Sequence, residues 1–277
     1  MIMRILSVIL CGGVLALCGV TAAVKAQTQV EAEAPADMVL IPGATITLGR
    51  NDGPADERPA HRVAVASFRL DRREVTNAEY AAFLNAVGGF HNAQGRRIYD
   101  ADDGDARIHR RDGRWRADAG HAAQPVNEAT WFGARDYCAR RGARLPTEAE
   151  WERAARGVEG RRYPWGDAPP DATRARFGIG WMKTLPVGSL PAGATPEGVL
   201  NLAGNVHEWT SSLYLPYPYS ATDGREDRDS EAPRVTRGGA ADTDADSLTT
   251  TWRGADVSRG PRAGHHNIGF RCAAPPS

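Results

Sequence analysis

Apolar residues near the start of the domain recur at short intervals, and the intervals predict strands. Met38 to Ile41 is a short apolar run that ends at Pro42-Gly43, and residues 45–49 alternate between polar and apolar side chains. This pattern indicates a strand, a turn and a second strand. Residues 62–70 alternate in the same way, and we predict one further strand over that range.

Helical periodicity follows in three segments. Two of them begin with a Thr that is followed three residues later by Glu, at 76–79 and 147–150. In this arrangement the two side chains satisfy free amides of the first turn, so each motif predicts the beginning of a helix. A third apolar stripe runs from 130 to 141 and places Cys138 on its buried side.

The remaining chain has little sustained period. Residues 90–124 are charged and glycine-rich, which predicts an inserted surface loop or hairpin, and residues 220–233 read as an exposed loop. Beyond residue 160, Gly, Pro, Asp and aromatic residues predominate and favour short strands joined by loops. The segment that contains Tyr214, Tyr217 and Tyr219 predicts either a binding face or a packed loop.

The N-terminus has the layout of a secretory signal. Arg4 precedes an apolar stretch from 5 to 24, and small residues surround the expected cleavage point after residue 26. An uncleaved anchor is the alternative. Residues 27–36 predict a disordered leader, so a single domain would occupy 37–277, periplasmic or secreted and without a membrane span once the signal is removed.

Charge and cysteine content narrow the function further. The chain has 34 basic and 34 acidic residues and is formally neutral, which argues against a nucleic-acid partner. Outside the signal, the cysteines are Cys138 and Cys272. In an oxidising compartment they would form one disulfide, with two free buried thiols as the alternative.

Seven segments, taken in order, resemble the formylglycine-generating (sulfatase-modifying factor) family. The resemblance implies a compact, irregular α+β fold that is similar to C-type lectins, with few helices, short antiparallel strands and many loops. It also implies that Cys138 pairs with Cys272. The segments are MVLIPGATITLG (38–49), residues 57–84, residues 124–157, YPWGD (163–167), NLAGNVHEWTSS (201–212), RVTRGG (234–239) and NIGFRCA (267–273).

The NLAGNVHEW segment is similar to a calcium site of that family. The resemblance implies side-chain ligands from Asn201 and Glu208 and carbonyl ligands from Gly204 and Val206, the hard oxygens that Ca²⁺ prefers. A capped turn without a metal is the alternative. The family's second calcium site falls in a segment that is shortened here to 168–184, and we expect that site to be absent.

The expected active site departs from the family. Oxidising members bind Cu(I) through two cysteines, and the matching positions here are Thr243 and Leu248. Neither side chain offers the thiolate that Cu(I) selects. Copper-thiolate oxidation of a substrate cysteine is therefore not expected, and the identity of any redox metal is open.

Other polar residues near these positions could line the cleft. Three alternate acids could bind a cation or a basic ligand, or form an exposed acidic loop. Histidines near them could hold Fe or Cu without thiolates, or simply make hydrogen bonds within loops. The adjacent histidines are expected on a strand, pointing to opposite faces. The cleft candidates are His207, Asp242, Asp244, Asp246, His265, His266 and Asn267.

Two functional hypotheses follow. In the first, the chain is a binding or accessory module that recognises a peptide, a glycan or a protein partner in the family cleft. In the second, it is a metal-dependent oxidative tailoring enzyme, as the ergothioneine-synthesis and pyoverdine-maturation relatives are. The sequence leaves the oligomeric state open.

Overall fold

The computed structural model describes residues 37–254 and 260–276. The predicted signal (1–26) and leader (27–36) lie outside the described residues. Within the described ranges, no helix is both long enough and apolar enough to cross a membrane.

Helices begin where the Thr motifs predicted. At the first helix, the Thr76 hydroxyl accepts from the Glu79 amide while the Glu79 carboxylate accepts from the Thr76 amide, a complete capping box. Thr147 and Glu150 repeat the arrangement. The described residues contain three α-helices: α1 (Asn77–Val87), α2 (Trp131–Arg140) and α3 (Glu148–Arg156).

In the described part of the chain, ten short strands form four small sheets. The strands are β1 (Met38–Ile41), β2 (Ala44–Leu48), β3 (His61–Val65), β4 (Phe68–Asp71), β5 (Ile108–Arg111), β6 (Arg114–Ala117), β7 (His207–Leu213), β8 (Arg234–Arg237), β9 (Ile268–Gly269) and β10 (Ala273–Ala274). The sheet orders are β1-β4-β10, β2-β3, β5-β6 and β8-β7-β9. Every pair is antiparallel except β7 with β9. Few helices and short, mostly antiparallel strands confirm the predicted α+β class.

The prediction of one strand over 62–70 is wrong. The segment breaks at residues 66–67 because its halves have different partners: β3 pairs with β2, whereas β4 pairs with β1 and β10. The break is held by Gly43, whose amide donates to the Ser67 hydroxyl at 2.9 Å. A Cβ at Gly43 would lie 2.7 Å from the Ser67 amide nitrogen, so only glycine permits this approach.

The segment 90–124 contains the predicted hairpin, formed by β5 and β6. It is not merely a surface addition, because Ile98, Tyr99, Ala106 and Ile108 are fully buried in the main apolar cluster. The Tyr99 hydroxyl also accepts from the amides of residues 107 and 108. The hairpin is therefore anchored by core contacts.

The disulfide between Cys138 and Cys272 is present and fully buried. It joins α2 to the segment that precedes β10, across a sequence separation of 134 residues. The tyrosine-rich segment is a packed loop: Tyr217 is buried and its hydroxyl donates to Glu148, while Tyr214 donates to Asp56.

Candidate functional site

The region that the resemblance assigns to the cleft begins where the chain leaves β8 through two glycines with positive φ, Gly238 and Gly239, and we keep the name cleft for it. A Cβ at Gly239 would lie 2.8 Å from a methyl carbon of Leu248, so the turn packs directly on that side chain. Leu248 is fully buried in a small cluster with Tyr163, Ala175 and Ala203.

Thr243, the other position that the resemblance gives to a cysteine, is held by hydrogen bonds. Its hydroxyl accepts from the Ala240 amide at 2.9 Å, donates to the Ala240 carbonyl at 3.0 Å and contacts the Ser247 hydroxyl at 2.7 Å. A satisfied hydroxyl and a packed aliphatic chain thus stand where the family has copper-binding thiols.

Asp242 is the polar centre of the cleft. His266 Nε2 lies 3.0 Å from its carboxylate, and Asn267 Nδ2 donates to it at 3.2 Å. Burial disfavours the charged form of Asp242, but the hydrogen bonds from His266 and Asn267 outweigh that effect and hold the pKa of Asp242 below its ordinary value. The cleft therefore presents an ionised carboxylate.

Trp181 covers the edge of this group, and sequence reasoning missed it. Its ring stacks on the His266 imidazole with the centroids 3.4 Å apart, and its Nε1 donates to Asp105 at 3.1 Å. Even so, 56% of Trp181 is exposed. A tryptophan in a glycine-rich loop was the only signal in the sequence, and it falls in the shortened segment 168–184.

The three alternate acids do not act together. Asp242 faces His266, whereas Asp244 and Asp246 are exposed where a 3₁₀ turn over Ala245–Leu248 carries them outward. Their spacing fits the alternation of a strand, but the backbone there is not a strand. Asp244 and Asp246 therefore correspond to the acidic-loop alternative.

The adjacent histidines also differ from expectation, because they lie before β9 rather than on a strand. His266 contacts Asp242 and Trp181. His265 instead lines a separate shallow groove with Glu231 and Pro261. Only one of the two histidines therefore belongs to the cleft centre.

His207 begins β7 and is fully buried. Its ring stacks on Trp252 with centroids 5.0 Å apart, and neither ring nitrogen has a hydrogen-bond partner in the described part of the chain. Burial lowers the pKa of His207 to about 3, partly opposed by the charge of Asp242. The imidazole is therefore neutral.

The NLAGNVHEW loop is tightly constrained. Asn201 and Gly204 both have positive φ, and a Cβ at Gly204 would lie 2.4 Å from the Arg176 carbonyl oxygen. The Glu208 carboxylate accepts from Arg271 at 2.6 and 2.8 Å and from Trp151 Nε1 at 2.9 Å. Its charge is therefore already balanced by a buried guanidinium.

Glu74 is the unbalanced acid beside this loop. Glu74 is fully buried, and its carboxylate accepts from the side-chain amides of Asn201 and Asn205 but has no ion pair within 4.0 Å among the described residues. Burial raises the pKa of Glu74 to about 7; the charge of Arg271 opposes the increase and that of Glu208 adds to it. A cation at this loop fits the donor set when Glu74 is included, a residue that sequence reasoning missed.

Among the described residues, one group of three potential ligands meets closely enough to hold a metal. It consists of Asp103, Asp105 and Glu128, whose ligand atoms lie within 4.8 Å of one another. His207, Asp242 and His266 do not form such a group.

Comparisons with known proteins agree with the fold described above. Residues 23–275 match the model of the sulfatase-modifying factor enzyme 1-like domain. The chain is 35% identical to a formylglycine-generating enzyme of Streptomyces coelicolor, covering 85% of this chain and 88% of that protein. It is 36% identical to a protein named serine/threonine-protein kinase pkn1 of Chlamydia pneumoniae, covering 86% of this chain but only 38% of the relative.

Among solved structures, PvdO from Pseudomonas aeruginosa superimposes with a TM-score of 0.65 at 25% identity, covering 86% of this chain and 94% of PvdO. The fold is therefore shared over nearly all of the described chain.

Proposed function

Because the chain belongs to the sulfatase-modifying factor enzyme 1-like family, we propose that it is an exported accessory protein that binds a peptide segment of a partner in the family cleft. The observation that carries this proposal is the replacement of the copper-binding thiols by hydrogen-bonded Thr243 and buried Leu248. The apolar stretch at 5–24 supports a periplasmic or secreted location.

The chemistry of the cleft suits an extended peptide. Asp242 is an ionised acceptor for backbone amides or a basic side chain, and Asn267 and His266 fix its orientation. The ring of Trp181 is apolar and exposed, so a bound partner could bury it. Tryptophans that become buried in an interface often contribute most of its affinity. A glycan could use the same ring and carboxylate, so the experiment includes it.

The test is a selection from a displayed random-peptide library, run beside a glycan array. The affinity of a selected peptide is then measured for Asp242→Asn and Trp181→Ala, with Asp246→Asn as the matched control because Asp246 is exposed. We expect each cleft variant to lose about tenfold or more in affinity, equivalent to about 1.4 kcal/mol, and the control to be unchanged. Selection of glycans alone, or peptide binding that ignores both cleft substitutions, would contradict the proposal.

Calcium belongs to this proposal as a structural ion. We propose that it binds at the NLAGNVHEW loop, with Asn201, Gly204, Val206 and Glu208 as the family suggests and with Glu74 supplying the unbalanced charge. Metal analysis after dialysis against buffer with trace Ca²⁺ should find one tightly held ion, and Glu74→Gln should release it. Equal calcium content in both proteins would exclude Glu74 from the site.

A second candidate, a metal-dependent oxidative enzyme, is supported by one observation. His207 is buried and neutral, and neither ring nitrogen has a hydrogen-bond partner in the described residues, which leaves a nitrogen free to bind a metal. Iron and copper content and oxygen uptake should be compared between the wild type and His207→Phe, which keeps the packing on Trp252. Oxygen uptake with a bound redox metal, lost in the variant, would replace the accessory role with this one.

A further inference from the structure

A cluster of three carboxylates lies beside the cleft, on residues that neither functional hypothesis uses. Asp103 and Asp105 lie in the turn before β5, and Glu128 lies just before α2. One oxygen from each carboxylate lies within 4.8 Å of the others. The sequence does not predict that these carboxylates lie together, because Glu128 is more than twenty positions from the two aspartates.

Backbone and amide contacts hold the cluster together. The Asp100 amide donates to the Glu128 carbonyl at 2.9 Å, and Asn127 Nδ2 donates to the Asp105 carbonyl at 2.7 Å. From the other side, a Cβ at Gly264 would lie 2.3 Å from the Glu128 carbonyl oxygen, so the chain there approaches as closely as only glycine allows. The acids are therefore placed by the fold and not by chance exposure.

Two buried polar groups at the cluster lack partners. Glu128 is only 2% exposed, yet its carboxylate makes no hydrogen bond or ion pair with the described residues. Asn127 is 3% exposed and its Oδ1 accepts no hydrogen bond from them, although its amide nitrogen reaches Asp105. Buried amide oxygens are normally satisfied, so Asn127 Oδ1 points to a missing ligand.

The charges at the cluster are also unbalanced. Neither Asp103 nor Asp105 has an ion pair within 4.0 Å in the described chain, while the nearby Asp100 is already paired with Arg97. The three carboxylates bring like charges within 4.8 Å of one another. A cation would remove this repulsion.

We propose that Asp103, Asp105 and Glu128 bind a divalent cation, Ca²⁺ in preference to Mg²⁺, with Asn127 Oδ1 as a fourth protein ligand. Ca²⁺ accepts several carboxylate and amide oxygens in a flexible geometry, whereas Mg²⁺ demands a near-ideal octahedron and usually keeps several of its waters. The site is open at the exposed Asp103, so the affinity should resemble that of extracellular calcium modules, with Kd about 10⁻⁴–10⁻³ M.

The site touches the cleft through one residue. Trp181 donates to the Asp105 carboxylate and stacks on His266. A bound cation would fix Asp105 and so restrain the indole. The cation site itself does not depend on the proposed peptide binding.

Terbium, which substitutes for Ca²⁺, offers a direct test. Tb³⁺ titrated into the purified protein should become luminescent through energy transfer from Trp181, and Ca²⁺ at millimolar concentration should displace it while Mg²⁺ should displace it far less. Trp181→Phe should bind Tb³⁺ with similar affinity but with much weaker emission. Displacement by Mg²⁺ as readily as by Ca²⁺ would contradict the choice of ion.

Two acidic variants locate the ion, and two others serve as controls. Glu128→Gln and Asp103→Asn should each weaken Tb³⁺ and Ca²⁺ binding by about tenfold or more, and Asp246→Asn, an exposed acid elsewhere, should not. Asp103 is exposed, so its variant tests the site even if Glu128→Gln alters folding. Glu74→Gln separates this ion from the one proposed at the NLAGNVHEW loop and should leave the weak site intact. Unchanged binding in both Asp103→Asn and Glu128→Gln, or its loss in Glu74→Gln alone, would overturn the proposal.

Discussion

Glu148 shows how single residues of this protein are held by charge inside the core. It is fully buried in the first turn of α3, where Arg253 donates to it at 2.6 and 3.0 Å and the Tyr217 hydroxyl donates at 3.1 Å. Arg237 and Arg225 lie within 4.0 Å. Burial alone would raise the pKa of Glu148, but Arg253 and Arg237 outweigh it and hold the pKa below its ordinary value.

Replacing Glu148 with Gln should therefore destabilise the protein at neutral pH. Removing one partner from a buried ion pair leaves an uncompensated charge and typically costs about 3–5 kcal/mol. Urea denaturation at pH 7 measures this loss. Glu159→Gln, at an exposed carboxylate, is the control and should change the free energy of unfolding by less than about 0.5 kcal/mol.

The same residue predicts a pH dependence. The folded pKa of Glu148 is lowered, so its contribution to stability is present above the unfolded value of 4.5 and is lost as the pH falls through the folded pKa. Wild-type stability should therefore decline below about pH 4.5, more steeply than that of Glu148→Gln. Parallel declines in the two proteins would show that Glu148 keeps an ordinary pKa.

At the scale of elements, the helix caps show how a short sequence motif fixes where a helix begins. The Thr147 hydroxyl and the Glu150 carboxylate close the first turn of α3, the helix that brings Glu148, Trp151 and Glu152 into the core. A local motif therefore sets where α3 begins and, with it, the positions of three buried side chains.

Thr147→Ala should cost about 1 kcal/mol of stability, within the range of about 0.5–2 kcal/mol for lost caps. Thr147→Ser keeps the hydroxyl and should recover most of the loss. Thermal and urea unfolding of both variants provide the measurement. If Ser were as destabilising as Ala, packing of the Thr methyl group rather than the cap would account for the effect.

At the scale of the whole molecule, the disulfide between Cys138 and Cys272 closes a long loop. Its sequence separation of 134 residues means that reduction releases much of the unfolded chain from a constraint. Removing both cysteines as Cys138→Ala/Cys272→Ala should lower the free energy of unfolding by about 2–5 kcal/mol. Urea unfolding of this variant is compared with the wild type, with and without reductant. If reductant left the urea unfolding curve of the wild type unchanged, the result would be inconsistent with the disulfide.

Some features could be predicted from the sequence because they depend on neighbours along the chain. Thr76 and Thr147 are each followed three residues later by Glu, and the caps form within one turn. The pairing of Cys138 with Cys272 also follows, since residues 27–277 contain two cysteines and the ordered motifs identify the family.

The cleft was only partly predictable. Asp242, His266 and Asn267 were candidates, and their side chains do contact one another. Asp244, Asp246 and His265 were equally good candidates from the sequence, but they lie outside this group. Trp181, Glu74 and Glu128 gave no usable signal in the sequence. Their roles come from groups that arrive from distant segments of the chain.

The sequence by itself therefore determined the helix starts and the replacement of the family's cysteines by Thr243 and Leu248, because each depends on residue identity or on spacing within a few positions. The α+β class and the pairing of Cys138 with Cys272 came from the resemblance of ordered motifs to the family. The tertiary structure decided where 62–70 breaks and which acid remains unpaired. Strand partners and charge balance depend on contacts across many residues: Arg271 pairs directly with Glu208, whereas neither the Glu74 nor the Glu128 carboxylate has an ion pair within the described chain.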